Sequence, residues 1–172
     1  MNIGFDLDGV LYDWHDVVYT YCVNNEGYVG SKSEFWKDYQ DFPLDRKLNF
    51  ERTTTFFSKK IPSKRVVDFL IELAKDNTLF YITSRKEDVK LTTELYLERY
   101  NFPDRDNLFF TDDKVTHIKL LDIEVFVDDL PSHLDSIGNS ATTYLIRQPW
   151  NEEVCDNYNT IDSVTDLSSK FL

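Results

Sequence analysis

Cysteine is scarce, with Cys22 and Cys155 alone among 172 residues. The pair gives neither metal-ligand spacing nor a disulfide framework, so free buried thiols in a reducing cytoplasm are expected. Long apolar runs are missing too. No segment approaches the ~18–20 residues that cross a bilayer, and the short apolar run at the start is broken by Asp6, so neither a membrane span nor a signal peptide is expected. Positive charge is in deficit: 19 Lys and Arg against 31 Asp and Glu leave a net charge of −12. That balance excludes the basic footprint of a protein that holds long nucleic acid. It leaves room for a small phosphorylated molecule, because a bound metal and a few local cations set the field at a site. Internal repeats and low-complexity linkers are absent.

The length suits one domain with a small insertion. Hydrophobic residues at 41% and charged residues at 29% are ordinary for a globular chain, whereas aromatics at 15% are abundant. Some of those rings should surface wherever a planar ligand binds.

The stretch from Asn2 to Leu11, NIGFDLDGVL, organises the rest. Ile3 to Phe5 reads as a buried strand that ends abruptly in two carboxylates and Gly9. In an extended chain, residues i and i+2 face the same side, so Asp6 and Asp8 aim into one space. Two carboxylates this close repel unless a cation or a shared proton relieves them. A magnesium-type ion, which prefers oxygen ligands, is the obvious relief.

Apolar periodicity then predicts a helix over 14–28, a short capped helix over 33–39 and a helical piece over 48–57. A helix opens at Pro62-Ser63, and strands follow over 78–82, 108–110, 124–127 and 142–146. Helices fill the gaps over 87–100 and 115–121, from Pro131, and over 163–171. Strands alternating with helices give an α/β fold, a three-layer Rossmann-like parallel sheet of about five strands. A small helical cap is inserted after the first strand, so that 1–13 and 61–172 form the core and 14–60 the cap.

Every strand but the last ends in chemistry. Asp6 and Asp8 follow the first, Thr83 the second, Lys114 comes after the third, and Asp128-Asp129 close the fourth. In a parallel sheet these ends share one edge. Singly, each has an ordinary structural explanation, such as Thr83 or Ser84 capping a helix. The ordered set does not.

This order resembles the four motifs of the haloacid dehalogenase superfamily over nearly the whole chain. DLDGVL at 6–11, ITS at 82–84, TDDK at 111–114, VDD at 127–129 and RQPWN at 147–151 are similar to its 5'(3')-deoxyribonucleotidase branch. Arg85 and Asp112 depart from it, standing where eukaryotic members tend to carry proline and arginine. The resemblance implies a hydrolase of phosphoric monoesters of the 5'-nucleotidase type. Asp6 would attack phosphorus to give a phospho-aspartate, and Asp8 would serve as general acid and then general base. Thr83 and Lys114 would hold the phosphoryl oxygens. Mg2+ would sit among Asp6, Asp8 (through its backbone carbonyl), Asp128 and Asp129. Dehalogenases of the superfamily lack the second acid, and its transport ATPases carry threonine there, so Asp8 favours a phosphatase or a mutase. A mutase would need a phosphorylated activator and usually a differently sized cap, which favours hydrolysis.

Specificity would come from the cap, with Phe35, Trp36, Tyr39, Phe56 and Phe57 as candidates to stack on a base, beside Ser84 and Arg85 near the substrate. The equally weighted alternative is that these rings fill the cap's own core. The expected substrate is a small phosphorylated molecule, a (deoxy)ribonucleoside monophosphate first. Sugar phosphates, nucleic-acid termini, or a non-catalytic phosphate-binding module are the alternatives. A cytoplasmic protein is expected, and a homodimer is compatible with the sequence. His15, His117 and His133 carry no decisive signal, although His15 lies close enough to the first motif to border a cleft.

Overall fold

A computed structural model describes residues 1–52 and 59–172. Six strands form one parallel sheet: β1 (Asn2–Phe5), β2 (Thr78–Thr83), β3 (Leu108–Phe110), β4 (Val125–Asp128), β5 (Thr142–Ile146) and β6 (Thr160–Ile161). Their order across the sheet is β3-β2-β1-β4-β5-β6. The sixth strand adds to the five read from the sequence. It has two residues, too few to show any alternation of apolar side chains.

Alternate strand residues fill two cores. Ile3, Phe5, Leu79, Tyr81, Val125 and Val127 face one layer, whereas Phe80, Ile82, Phe126 and Leu145 face the other. A strand buried on both faces must be apolar throughout, which is why β2 and β4 read as continuous hydrophobic runs. Gly4 is required by this packing, since a Cβ there would lie 2.6 Å from a ring carbon of Phe126.

Among the described residues the α-helices are α1 (Trp14–Glu26), α2 (Lys32–Gln40), α3 (Leu44–Arg52), α4 (Lys64–Leu73), α5 (Lys90–Arg99), α6 (Lys114–Leu120), α7 (Pro131–Ile137) and α8 (Ser168–Phe171). The N-cap Asp13 accepts from the amide of Asp16, and Gly27 closes α1 in the left-handed region at φ 72°. A reciprocal Ser31–Glu34 capping box starts α2. The third helix begins directly after Pro43, earlier than the sequence suggested, because proline breaks what precedes it and is compatible with a first turn. The end of the predicted 48–57 piece, with Phe56 and Phe57, lies outside the described residues. Among those described, no helix is long and apolar enough to cross a membrane.

The strand order reverses direction between β1 and β4. In open α/β sheets the crevice beyond the carboxyl ends at that reversal is where ligands bind. Asp6 and Asp8 follow β1 here, and Asp128-Asp129 stand at the end of β4.

Candidate active site

Just past β1, Asp6 is held by its backbone amide, which donates to the Val127 carbonyl at 2.9 Å. The next turn passes through Gly9 at φ +80°, where a Cβ would lie 2.4 Å from Asp129 Oδ2. Only glycine meets both demands, so the two aspartate motifs can close on one another.

One ligand oxygen from each of Asp6, Asp128 and Asp129 lies within 4.8 Å of the others. All three side chains are buried. The Lys114 ammonium, at the start of α6, donates to Asp6 Oδ1 at 2.8 Å and to Asp128 Oδ2 at 2.7 Å. Asp128 also accepts from the Leu130 amide at 2.9 Å through Oδ1, and its Oδ2 lies 2.9 Å from His133 Nδ1.

The electrostatics follow from burial and charge count. Burial lifts Asp6 to about 7 against the pull of Lys114, with Asp128 and Asp8 adding to the rise. Burial, then Asp128 and Asp6, push Asp129 well above the usual carboxylate range. Burial works on Asp128 in the same direction, but Lys114 and His133 outweigh it and hold this carboxyl low. Lys114 is held above its ordinary value because Asp6 and Asp128 overcome its desolvation. Thus one lysine does not neutralise three carboxylates, and Asp129 Oδ2 is buried with no hydrogen-bond partner among the described residues. An all-oxygen donor set carrying excess negative charge and an orphaned carboxylate oxygen fits a hard divalent cation such as Mg2+.

A cavity of about 190 Å3 opens over this cluster, lined among others by Asp6, Asp8, Thr83, Ser84, Lys114 and Asp129. Four expected elements, the ends of β1, β2 and β4 and the start of α6, therefore meet at one place. Arg85 also lines it, yet its guanidinium is committed elsewhere than to an open substrate position: Nε and Nη2 each reach an Asp8 oxygen at 2.7 Å. Asp112 stands apart, exposed and 3.3 Å from Lys86 Nζ.

Of the rings expected to form an aromatic platform, Phe35, Trp36 and Tyr39 do not line this cavity, and Phe56 and Phe57 lie outside the described residues. Phe35 and Trp36 are 0% and 3% exposed and do not line the cavity. Trp36 is enclosed by His15, Phe35, Tyr39 and Trp150, with ring centroids 4.6–5.2 Å apart. Tyr39 is half-buried against Trp14 and Trp36, and is also off the cavity wall. These rings pack on one another and on their neighbours, and Trp36 also lines a separate cavity with Ser33, Lys37 and Trp150. Trp14 and His15 from α1 reach the cavity over the carboxylates instead, with His133, Lys86 and Leu130. Burial, and then Lys32, lower His15 to about 3, so this imidazole is neutral. The signal for His133 was its place five residues after Asp128, within a turn that opens with Pro131. Nothing in the sequence ties Trp14 to a wall. Trp36→Ala should consequently cost about 3–5 kcal/mol of stability, roughly 6–20 °C in melting temperature, and impair all substrates together. A raised KM for nucleotides alone, with unchanged melting, would contradict the packing role.

Comparison with solved structures gives the fold a name. A haloacid dehalogenase-like hydrolase from Streptococcus pneumoniae superposes with a TM-score of 0.67, covering 99% of this chain and 98% of that one at 13% identity. An L-2-haloacid dehalogenase superposes with a TM-score of 0.63, covering 99% of both chains at 14% identity. This chain has the haloacid dehalogenase fold. A curated relative from Clostridium acetobutylicum, named a nucleotidase, is 27% identical over 92% of this chain and 89% of its own length. No family model matches. Because the haloacid dehalogenase fold carries both dehalogenases and other hydrolases, the chemistry must be argued from the site.

Proposed function

We propose that the protein is a magnesium-dependent phosphomonoesterase working through a phospho-aspartate, with (deoxy)ribonucleoside monophosphates as its first substrate class. The observation that carries this is the second carboxylate. Asp8 opens onto the same cavity as Asp6 and Lys114, where phosphoryl transfer needs an acid and a base beside the nucleophile.

In the first half, an Asp6 carboxylate oxygen bonds to phosphorus as the ester P–O bond breaks, and the departing oxygen takes a proton from Asp8. In the second half, water attacks phosphorus, Asp8 takes its proton, and Asp6 leaves as a carboxylate with inorganic phosphate released. Thr83 and Lys114 hold phosphoryl oxygens, which places fixed donors where charge accumulates. The carboxylates of Asp6, Asp128 and Asp129, with the Asp8 carbonyl, would hold Mg2+, whose charge when bound offsets the repulsion between Asp6 and a phosphate dianion. Residues 14–60 act as the cap in this reading. Lys60 and Lys32 both reach Asp16, at 2.5 and 3.2 Å, and so tie together the ends of that segment.

The nucleotidase name of the curated relative supports a nucleotide. The cavity's about 190 Å3 supports a second reading, a sugar phosphate, since typical ligand pockets exceed roughly 300 Å3. Phosphate release across nucleoside monophosphates, sugar phosphates and 3'-phosphorylated oligonucleotides, with magnesium and with chelator, separates them. Highest kcat/KM on a mononucleotide and loss of activity in chelator are expected. Undiminished hydrolysis after complete metal removal would exclude the magnesium requirement, and a preference for sugar phosphates would select the second reading.

A further inference from the structure

The 85–93 segment carries a device that the expected motifs do not explain. Arg85 follows β2, and its guanidinium reaches across to the end of β1, where Nε and Nη2 meet the two oxygens of Asp8 at 2.7 Å each. The third nitrogen, Nη1, donates to Thr93 Oγ1 at 3.0 Å on α5. Thr93 Oγ1 in turn donates to the Val89 carbonyl at 2.9 Å, which fixes its rotamer. The Arg85 amide donates to Thr83 Oγ1 at 3.2 Å, and the Tyr12 ring lies 5.1 Å from Cζ. The Arg85 side chain is 2% exposed, while that of Asp8 is 24% exposed toward the cavity.

A planar fork held at its far end leaves Asp8 a single orientation. Both Asp8 oxygens accept charged N–H groups, yet each keeps a further lone pair that can receive a proton. We propose that Arg85 is the positioning residue of Asp8 and that its fork, braced by Thr93, serves the hydrolysis of phosphoryl-Asp6. In that step the water oxygen bonds to phosphorus, the bond from phosphorus to the Asp6 oxygen breaks, and its electron pair returns to the Asp6 carboxylate. The water proton goes to Asp8. The inference rests on the phosphomonoesterase reading and adds to it an assignment for Arg85.

The test uses p-nitrophenyl phosphate with magnesium, because p-nitrophenolate leaves without an acid and isolates the second half-reaction. Wild type should turn over steadily. Arg85→Leu and Arg85→Lys should show a burst of one p-nitrophenol per protein, then a kcat lowered about 10²- to 10³-fold, the range of a mispositioned base. Acid-quenched samples should carry one added phosphoryl group by intact mass, absent when Asp6→Asn is added to the variant. Lysine fails as leucine does, since a single ammonium cannot reproduce the fork. Thr93→Val, which touches neither the carboxylates nor the cavity, removes only the brace and should lower kcat about 2- to 10-fold with the same trapped species and little change in melting. A raised KM without trapped phosphoenzyme would make Arg85 a phosphate contact and overturn the proposal. Equal losses with lowered melting and no trapped species would overturn it in favour of a structural ion pair. If wild type releases no phosphate from any ester tested, the phosphomonoesterase reading itself has failed, and the assignment falls with it.

Discussion

Asp6→Asn is expected to end turnover, by about 10⁴-fold or more, while leaving the protein folded. An amide oxygen is a poor nucleophile, and no neighbouring carboxylate occupies its position at the end of β1. The substitution should not harm stability in chelator. Burial, with Asp128 and Asp8 adding to it, raises Asp6 to about 7 against the pull of Lys114, so an uncharged isostere relieves both desolvation and repulsion. Lys114 keeps Asp128 as its ionic partner at 2.7 Å. The expected pattern is an unchanged or higher melting temperature with no burst of alcohol release. Phosphate release near the wild-type rate from the folded variant would remove the covalent route.

Lys114→Met should give a large loss of stability. The ammonium is 4% exposed and bridges Asp6 and Asp128, so its removal leaves buried charge uncompensated. Breaking a buried pair in this way costs about 3–5 kcal/mol, roughly 6–20 °C for a chain of this size. The loss should depend on the cation. In chelator the variant carries three clustered carboxylates, with His133 as the one basic side chain paired to them among the described residues. Magnesium restores part of the missing charge, so saturating metal should recover more melting temperature in the variant than in wild type. Activity should stay depressed even then, because the donor proposed for a phosphoryl oxygen is gone. Equal metal-induced shifts in both proteins would show that Lys114 and the cation do not share one charge balance.

The sheet was readable because each long strand is buried on both faces and ends in polar residues, which marks its limits in the sequence. The carboxylate cluster was readable for a related reason. Parallel strands bring their ends to one edge, so Asp6 and Asp128 could be joined without knowing any distance. Contacts between side chains were not readable in this way. Trp36 is aromatic whether it faces a ligand or a core, and its enclosure comes from His15 and Trp150, neither of them near it in the chain. Arg85 and Asp8 are 77 positions apart with no periodicity to relate them. The only trace was that Arg85 breaks the motif pattern at its position. β6 is too short for any pattern, and it is fixed by pairing with Leu145 and Ile146.

The central place of β1 has a consequence during synthesis. This strand leaves the ribosome before both of its neighbours, for Ile3 pairs with Leu79 on one side and Val125 on the other. Until residue 79 has emerged, both of its edges are open, and until 125 has followed, one remains so. An apolar strand with unpaired edges is a template for wrong partners, and growing chains extend at only about 5–20 residues per second. The nascent protein therefore carries Asp6 and Asp8 beside an exposed edge for several seconds. Shielding of that edge, by a chaperone or by early packing of α1 against it, becomes as much a condition of activity as the residues of the cavity.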